Sequence, residues 1–287
     1  MTRSFFSALA SLALLAACGP ATPVASPLDE RPRIVRASDG VELDFDAFID
    51  ALAVHRVIYV GERHDQARDH RLEAAIADAI LERDPSLALG FEMFQRPAQP
   101  HLDAYVAGSI EESELLTRAE WETRWGYDFA AYRPLVSIGA RHQRPLLALN
   151  APQEITRTVA RQGLDALTDE QRAELPELDL EVAAHRERVN AALAGHPHGT
   201  PELLERFYLA QVIWDETMAD TVARYLARED AAHHLMVFAG VMHVMRDAIP
   251  ERAGRRTPND HVIVMPVESD EELAEAREQI DFAVIDP

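Results

Sequence analysis

Glu62 and His64 stand two residues apart, directly after Val57-Ile58-Tyr59-Val60-Gly61, a run with the character of a buried strand. Side chains of an extended segment alternate faces, so this carboxylate and imidazole can point the same way. Such a pair suits general acid–base work, with the carboxylate orienting the imidazole, or ligation of a metal. Glu92 follows Leu87–Phe91, Asn150 closes Leu146–Leu149, and His243 stands just beyond Leu235–Ala239. Asp215 lies three residues before Met218 in a long helical pattern, on the same face, which turns it inward toward a site or a buried partner. The bland alternatives are a polar loop in which His64 caps the next helix, and structural ion pairs for Glu92, Asp215 and Glu216.

Positioning these residues requires a scaffold. Apolar runs of strand type recur at Val57–Val60, Leu87–Phe91, Leu146–Leu149, Leu235–Ala239 and Val262–Val267. Helical patterns lie between them: Leu72, Ile76, Ala79 and Ile80 form one face, and Phe207, Gln211, Trp214, Met218, Thr221, Val222 and Tyr225 form another. Strands alternating with helices predict an α/β fold, a mainly parallel sheet with helices on both faces. The charged stretch 164–201, punctuated by Pro176 and by Gly195-His196-Pro197-His198-Gly199, reads as a helical insertion or lid. In open sheets of this type ligands bind at the carboxyl ends of the strands. Glu62, His64, Glu92, Asn150 and His243 are all delivered to that rim.

Composition removes rival chemistries. Cys18 is the only cysteine, so the rest of the chain has no disulfide, thiol nucleophile or cysteine-held metal. The chain has no lysine, which excludes Schiff-base chemistry and a P-loop. A net charge of −21 repels nucleic acid and anionic lipid headgroups. Residues 1–17 read as a signal peptide, with Arg3, an apolar run from Phe5 and Leu15-Ala16-Ala17 before Cys18. This ending resembles the bacterial lipoprotein signal, which implies lipid (palmitate-type acyl chains) on Cys18 and anchoring in the cell envelope, on the outer membrane. Residues 18–35, rich in Pro, Ala and Ser, read as anchor and tether, leaving 36–287 as a single domain.

Several segments then occur in an order that resembles a known family. They include Gly61-Glu62-Arg63-His64-Asp65, Phe91-Glu92-Met93-Phe94 and Trp121-Glu122-Thr123-Arg124-Trp125-Gly126-Tyr127. Tyr132-Arg133-Pro134-Leu135, Asn150-Ala151-Pro152, Trp214-Asp215-Glu216-Thr217-Met218 and Ala239-Gly240 with His243 complete the set. Together, over roughly residues 40 to 265, these resemble the ChaN-like haem-binding lipoproteins of the haem-uptake/Tiki group. The resemblance implies reversible haem binding in iron acquisition, with an outer-membrane receptor and a homodimer as further partners. Val241-Met242 and Met245-Arg246-Asp247-Ala248 depart from the family pattern around His243 and reshape its wall. Haem needs an axial donor and a flat apolar slot. Tyr127, Tyr132, His64 and His243 are the donor candidates, and Trp121, Trp125, Tyr127, Phe129 and Tyr132 are the slot or simply core. The alternative is a hydrolase whose divalent metal ion is held by His64, Glu92 and His243, with Glu62 and His64 catalytic. A similar Gly-Glu-x-His start marks erythromycin-esterase-like proteins.

Overall fold

Eight strands form one sheet in the computed structural model, which describes residues 32–193 and 200–285. They are β1 (Arg33–Arg36), β2 (Glu42–Leu43), β3 (Val57–Glu62), β4 (Leu87–Gln95), β5 (Leu146–Asn150), β6 (His234–Gly240), β7 (His261–Val267) and β8 (Phe282–Ile285). Their order is β2-β1-β8-β7-β3-β6-β4-β5. All neighbours from β8 to β5 run parallel; only β1 pairs antiparallel, with β2 and β8. The mainly parallel α/β fold expected from the sequence is therefore present. The strands missed are the short ones, β1, β2 and β8, whose few residues show no periodicity to read. Residues 1–31, with Cys18, and His196-Pro197-His198 lie outside the described residues.

Strand parity divides the core. Ile58, Val60, Met236 and Phe238 face one helical layer, which includes Ala67–Arg83 and Phe129–His142. Val57, Tyr59, Leu235 and Val237 face the other, formed mainly by Pro201–Leu226 and Ile249–Arg256. The element after β3 thus goes to one face and the element after its neighbour β6 to the other. Such a switch opens a crevice at the carboxyl ends of the strands.

The strands run further than their apolar stretches. Glu62 is the last residue of β3 and Asn150 the last of β5. Glu92 lies within β4, not past its end, which corrects the expectation that the polar residues stand beyond the strands. The β4–β5 register shifts between Phe91 and Gln95, and bulges of this kind re-aim side chains near sites.

The helix Pro201–Leu226 has 26 residues, so it is about 39 Å long, and a seven-residue strand spans only about 23 Å. Its second half covers the sheet through Met218, Val222 and Tyr225. Its first half overhangs the rim. The insertion, with helices Asp169–Glu174 and Ala183–Leu193, packs on that overhang through Leu167 with Ile213 and through Val189 with Tyr208 and Val212. It buttresses the long helix from behind.

Candidate functional site

Glu62 and His64 form the expected pair: His64 Nδ1 lies 2.6 Å from Glu62 Oε1. Glu62 is fully enclosed, and two further groups hold it. Tyr132 donates its hydroxyl to Oε1 at 3.1 Å, and His70 Nδ1 stands 2.9 Å from Oε2. His70 also approaches Glu73 at 3.2 Å through Nδ1 and donates Nε2–H to the carbonyl of His64 at 3.1 Å. Burial alone would raise the Glu62 pKa, but hydrogen bonds from His64 and His70 outweigh it and hold the carboxyl below its ordinary value. Burial would likewise lower His70, yet its bonds to Glu62 and Glu73 lift it to about 10. Glu73, enclosed beside the Glu62 charge, is pushed well above the ordinary carboxyl range. The result is a buried carboxylate–imidazolium pair that fixes the Nδ1 side of His64. The His64 pKa is raised; burial opposes this, but the bond to Glu62 and the charges of Glu92 and Glu62 prevail.

A second dyad faces the first. His243, on the short helix Val241–Val244 after β6, sits 2.6 Å from Asp215 Oδ1 through Nδ1 and 3.4 Å from Glu92 Oε1 through Nε2. Asp215, fully buried on the long helix, also lies 2.8 Å from His185 Nε2 of the insertion. Burial would raise Asp215, but the His243 charge and the His185 contact bring it to about 2. His243 rises to about 9: burial opposes, while the Glu92 and Asp215 charges dominate. Glu92 accepts the Gly240 N–H at 2.7 Å, which offsets burial of its carboxylate inside β4.

Gly240 is also where the His64 ring rests. A Cβ there would stand 2.9 Å from His64 Cε1 and 3.2 Å from Nε2, so only glycine admits the ring. Gly240→Ala is expected to cost about 1–3 kcal/mol and to push His64 off Glu62. Urea unfolding and the His64 imidazole NMR signal check this; an unmoved signal would contradict it.

Between the dyads lies a cavity of about 330 Å³, lined by His64, Glu92, Asn150 and His243, with Trp125 and Trp214 as aromatic walls. Trp125 and Tyr127 flank His64, with ring centroids at 4.7 and 5.4 Å. Tyr127 is 40% exposed. Trp121, Phe129 and Tyr132 are core, so of the five aromatic candidates only Trp125 and Tyr127 reach the site. Tyr132, expected as a possible ligand donor, instead spends its hydroxyl on Glu62.

Of the expected residues, Glu92, His64, Asn150, His243 and Trp125 meet at the cavity, while Glu62, Asp215 and Tyr132 support it from behind. Sequence reasoning missed Trp214, Met93, Gln95, Arg124, Gln153 and Arg157 in the lining. Arg157 stands one helical turn after Gln153, on the helix that follows Asn150, which is the signal that could have exposed it. His70, Glu73 and His185, which hold the dyads, were also missed as site residues.

The metal set His64, Glu92 and His243 shares the cavity, but the described groups whose donor atoms all lie within 4.8 Å of one another are different ones: Glu62 with His70 and Glu73, and Asp84 with His233 and His234. His234, the first residue of β6, is buried. Glu216 is structural. It contacts Arg252 directly, with Arg255 at 3.0 Å and Arg256 at 2.6 Å.

The family model described as haem-binding uptake, Tiki superfamily, ChaN matches residues 48–252. Among solved structures, the chain is similar to ChaN of Campylobacter jejuni, reported with cofacial haem binding. The TM-score is 0.71 at 17% identity, covering 88% of this chain and 96% of that one. An erythromycin esterase mutant in its open conformation gives a TM-score of 0.48 at 15% identity, over 88% of this chain and 82% of that one. Protein RETICULATA-RELATED 5, chloroplastic, of Arabidopsis thaliana is 22% identical over 231 residues, 73% of this chain. The chain spans only 31% of the length of that relative.

Proposed function

This chain belongs to the haem-binding uptake, Tiki superfamily, ChaN family, and from that premise we propose that it binds haem reversibly at the rim cavity beside His64. The observation that carries this reading is the edge formed by His64, Trp125 and Tyr127. Haem requires an axial donor beside a flat apolar surface. The donor set fits. Tyr127 offers an exposed phenol, and His64 has its Nδ1 engaged by a carboxylate, the arrangement that orients an imidazole for ligation through Nε2. His243 is buried and Tyr132 is enclosed, so Tyr127 and His64 are the donors that reach a planar ligand. Arg157, exposed on the cavity wall, supplies a cation for the acidic side chains of haem.

A cavity of about 330 Å³ lies at the small end of ligand sites, so the macrocycle rests partly on the surface. One haem face then stays open to a second haem or a second copy of the chain. This accords with the cofacial binding reported for the Campylobacter protein. A lipid on Cys18 would hold the protein at the outer membrane, where it would serve iron acquisition and meet a receptor. Haem bound there supplies the Soret band as a spectroscopic handle.

Titration of the purified protein with haemin is expected to give a saturable Soret shift. Tyr127→Phe and His64→Ala are each expected to weaken binding by about tenfold or more. No saturable shift, or unchanged affinity in both variants, would remove the reading.

A further inference from the structure

At the opposite end of the sheet, where β4 and β6 begin, Asp84, His233 and His234 bring their donor atoms within 4.8 Å of one another. The backbone fixes this end tightly. His234 N–H donates to the Ser86 carbonyl at 2.9 Å, and His233 N–H donates to Ser86 Oγ at 2.8 Å. Ser86 N–H in turn donates to Asp84 Oδ1 at 2.7 Å. One carboxylate oxygen is thereby committed, and Oδ2 is left to face the two imidazoles.

The tautomer of His234 makes the arrangement informative. Its Nδ1 lies 2.9 Å from the carbonyl oxygen of His55, which can only accept, so Nδ1 carries the hydrogen. In the neutral ring, Nε2 then presents a lone pair to Asp84 Oδ2, 3.5 Å away. Two acceptors facing each other in this way call for a proton or a cation between them. His233 completes the group, with Nδ1 2.6 Å from the same oxygen and the side chain 64% exposed. An imidazole oriented by a backbone carbonyl, a second imidazole and a carboxylate are a borderline donor set suited to zinc, copper(II) or iron(II). The exposure of His233 gives an entry path. The other compact group, Glu62 with His70 and Glu73, offers none: all three are fully enclosed, and His70 already engages both ring nitrogens.

We propose that Asp84, His233 and His234 form a binding site for a divalent transition-metal ion, separate from the rim cavity. Binding takes the place of the hydrogen between His233 Nδ1 and Asp84 Oδ2, which passes to Nε2 of the same neutral ring, and leaves the remaining coordination positions to water. The ion would also clamp the end of the helix Ala67–Arg83 to the start of β6.

The full chain, stripped with chelator and titrated with zinc by calorimetry, tests this. One equivalent is expected to bind. His233→Ala and Asp84→Asn are each expected to weaken binding by about tenfold or more, and His64→Ala to leave it unchanged. His233 is exposed, so its variant keeps the fold, as far-UV circular dichroism would verify. Absence of stoichiometric binding by the native chain overturns the site. So does binding that survives either substitution at the cluster or is lost in His64→Ala.

Discussion

Glu216→Ala is expected to lower folding stability by about 3–5 kcal/mol, because it strips the counter-charge from a buried guanidinium. Glu216 is completely enclosed on the long helix, and Arg252 beside it is 1% exposed. Arg255, Arg256 and the Asp179 N–H also converge on that one carboxylate. Removing it leaves Arg252 desolvated, with the Asp179 carbonyl and His185 as the remaining partners of its side chain among the described residues. Arg255→Ala is the contrast. Its side chain is 43% exposed, so its loss should cost no more than about 1 kcal/mol. Urea unfolding of both variants checks the pair, and equal losses would contradict it.

Alkaline conditions are expected to unlock the site from within. Burial opposes charge on both His70 and His243. The bonds of His70 to Glu62 and Glu73 nevertheless raise it to about 10, and the Glu92 and Asp215 charges raise His243 to about 9. Both values lie above the ordinary 6.5, so the folded state holds protons that the unfolded chain releases. This stabilisation is complete below pH 6.5 and is lost as pH rises through about 9 and then about 10. Each retained proton contributes up to about 1.4 kcal/mol per pH unit, so a loss of at least about 2 kcal/mol is expected between about pH 7 and pH 9. Denaturant midpoints across that range measure it, and His70→Gln should flatten the slope. A flat native profile would contradict the charged state of both rings.

The parallel sheet and its rim were legible because five strands carry continuous apolar runs, each ending in polar residues that a buried strand cannot explain. β1, β2 and β8 escaped notice because their few residues have no pattern of their own and pair only through distant partners. The Glu62–His64 pair was readable from spacing, since parity places both on one face. Its support was not. Tyr132 and His70 come from helices whose approach to Glu62 depends on how they pack across the sheet. Glu92 was found for a reason that needs revision: it does not stand past its strand but inside it, and its burial is tolerated because the Gly240 N–H at the end of the neighbouring β6 donates to it. The aromatic segment 121–132 divided between core and site along a line that helical spacing alone cannot draw.

Asp215 is shared between an imidazole of the cavity and one of the insertion, His243 and His185. The insertion has little core of its own beyond what it buries on the long helix, so its docking and the charge on His243 belong to one equilibrium. Thermodynamic reciprocity then governs the pair. Any occupant of the cavity that favours or opposes charge on His243 also shifts the docking free energy of the insertion. A partner that holds the insertion alters, in equal measure, the affinity of the cavity for that occupant. A segment that never touches the cavity is thereby made a party to what the cavity binds.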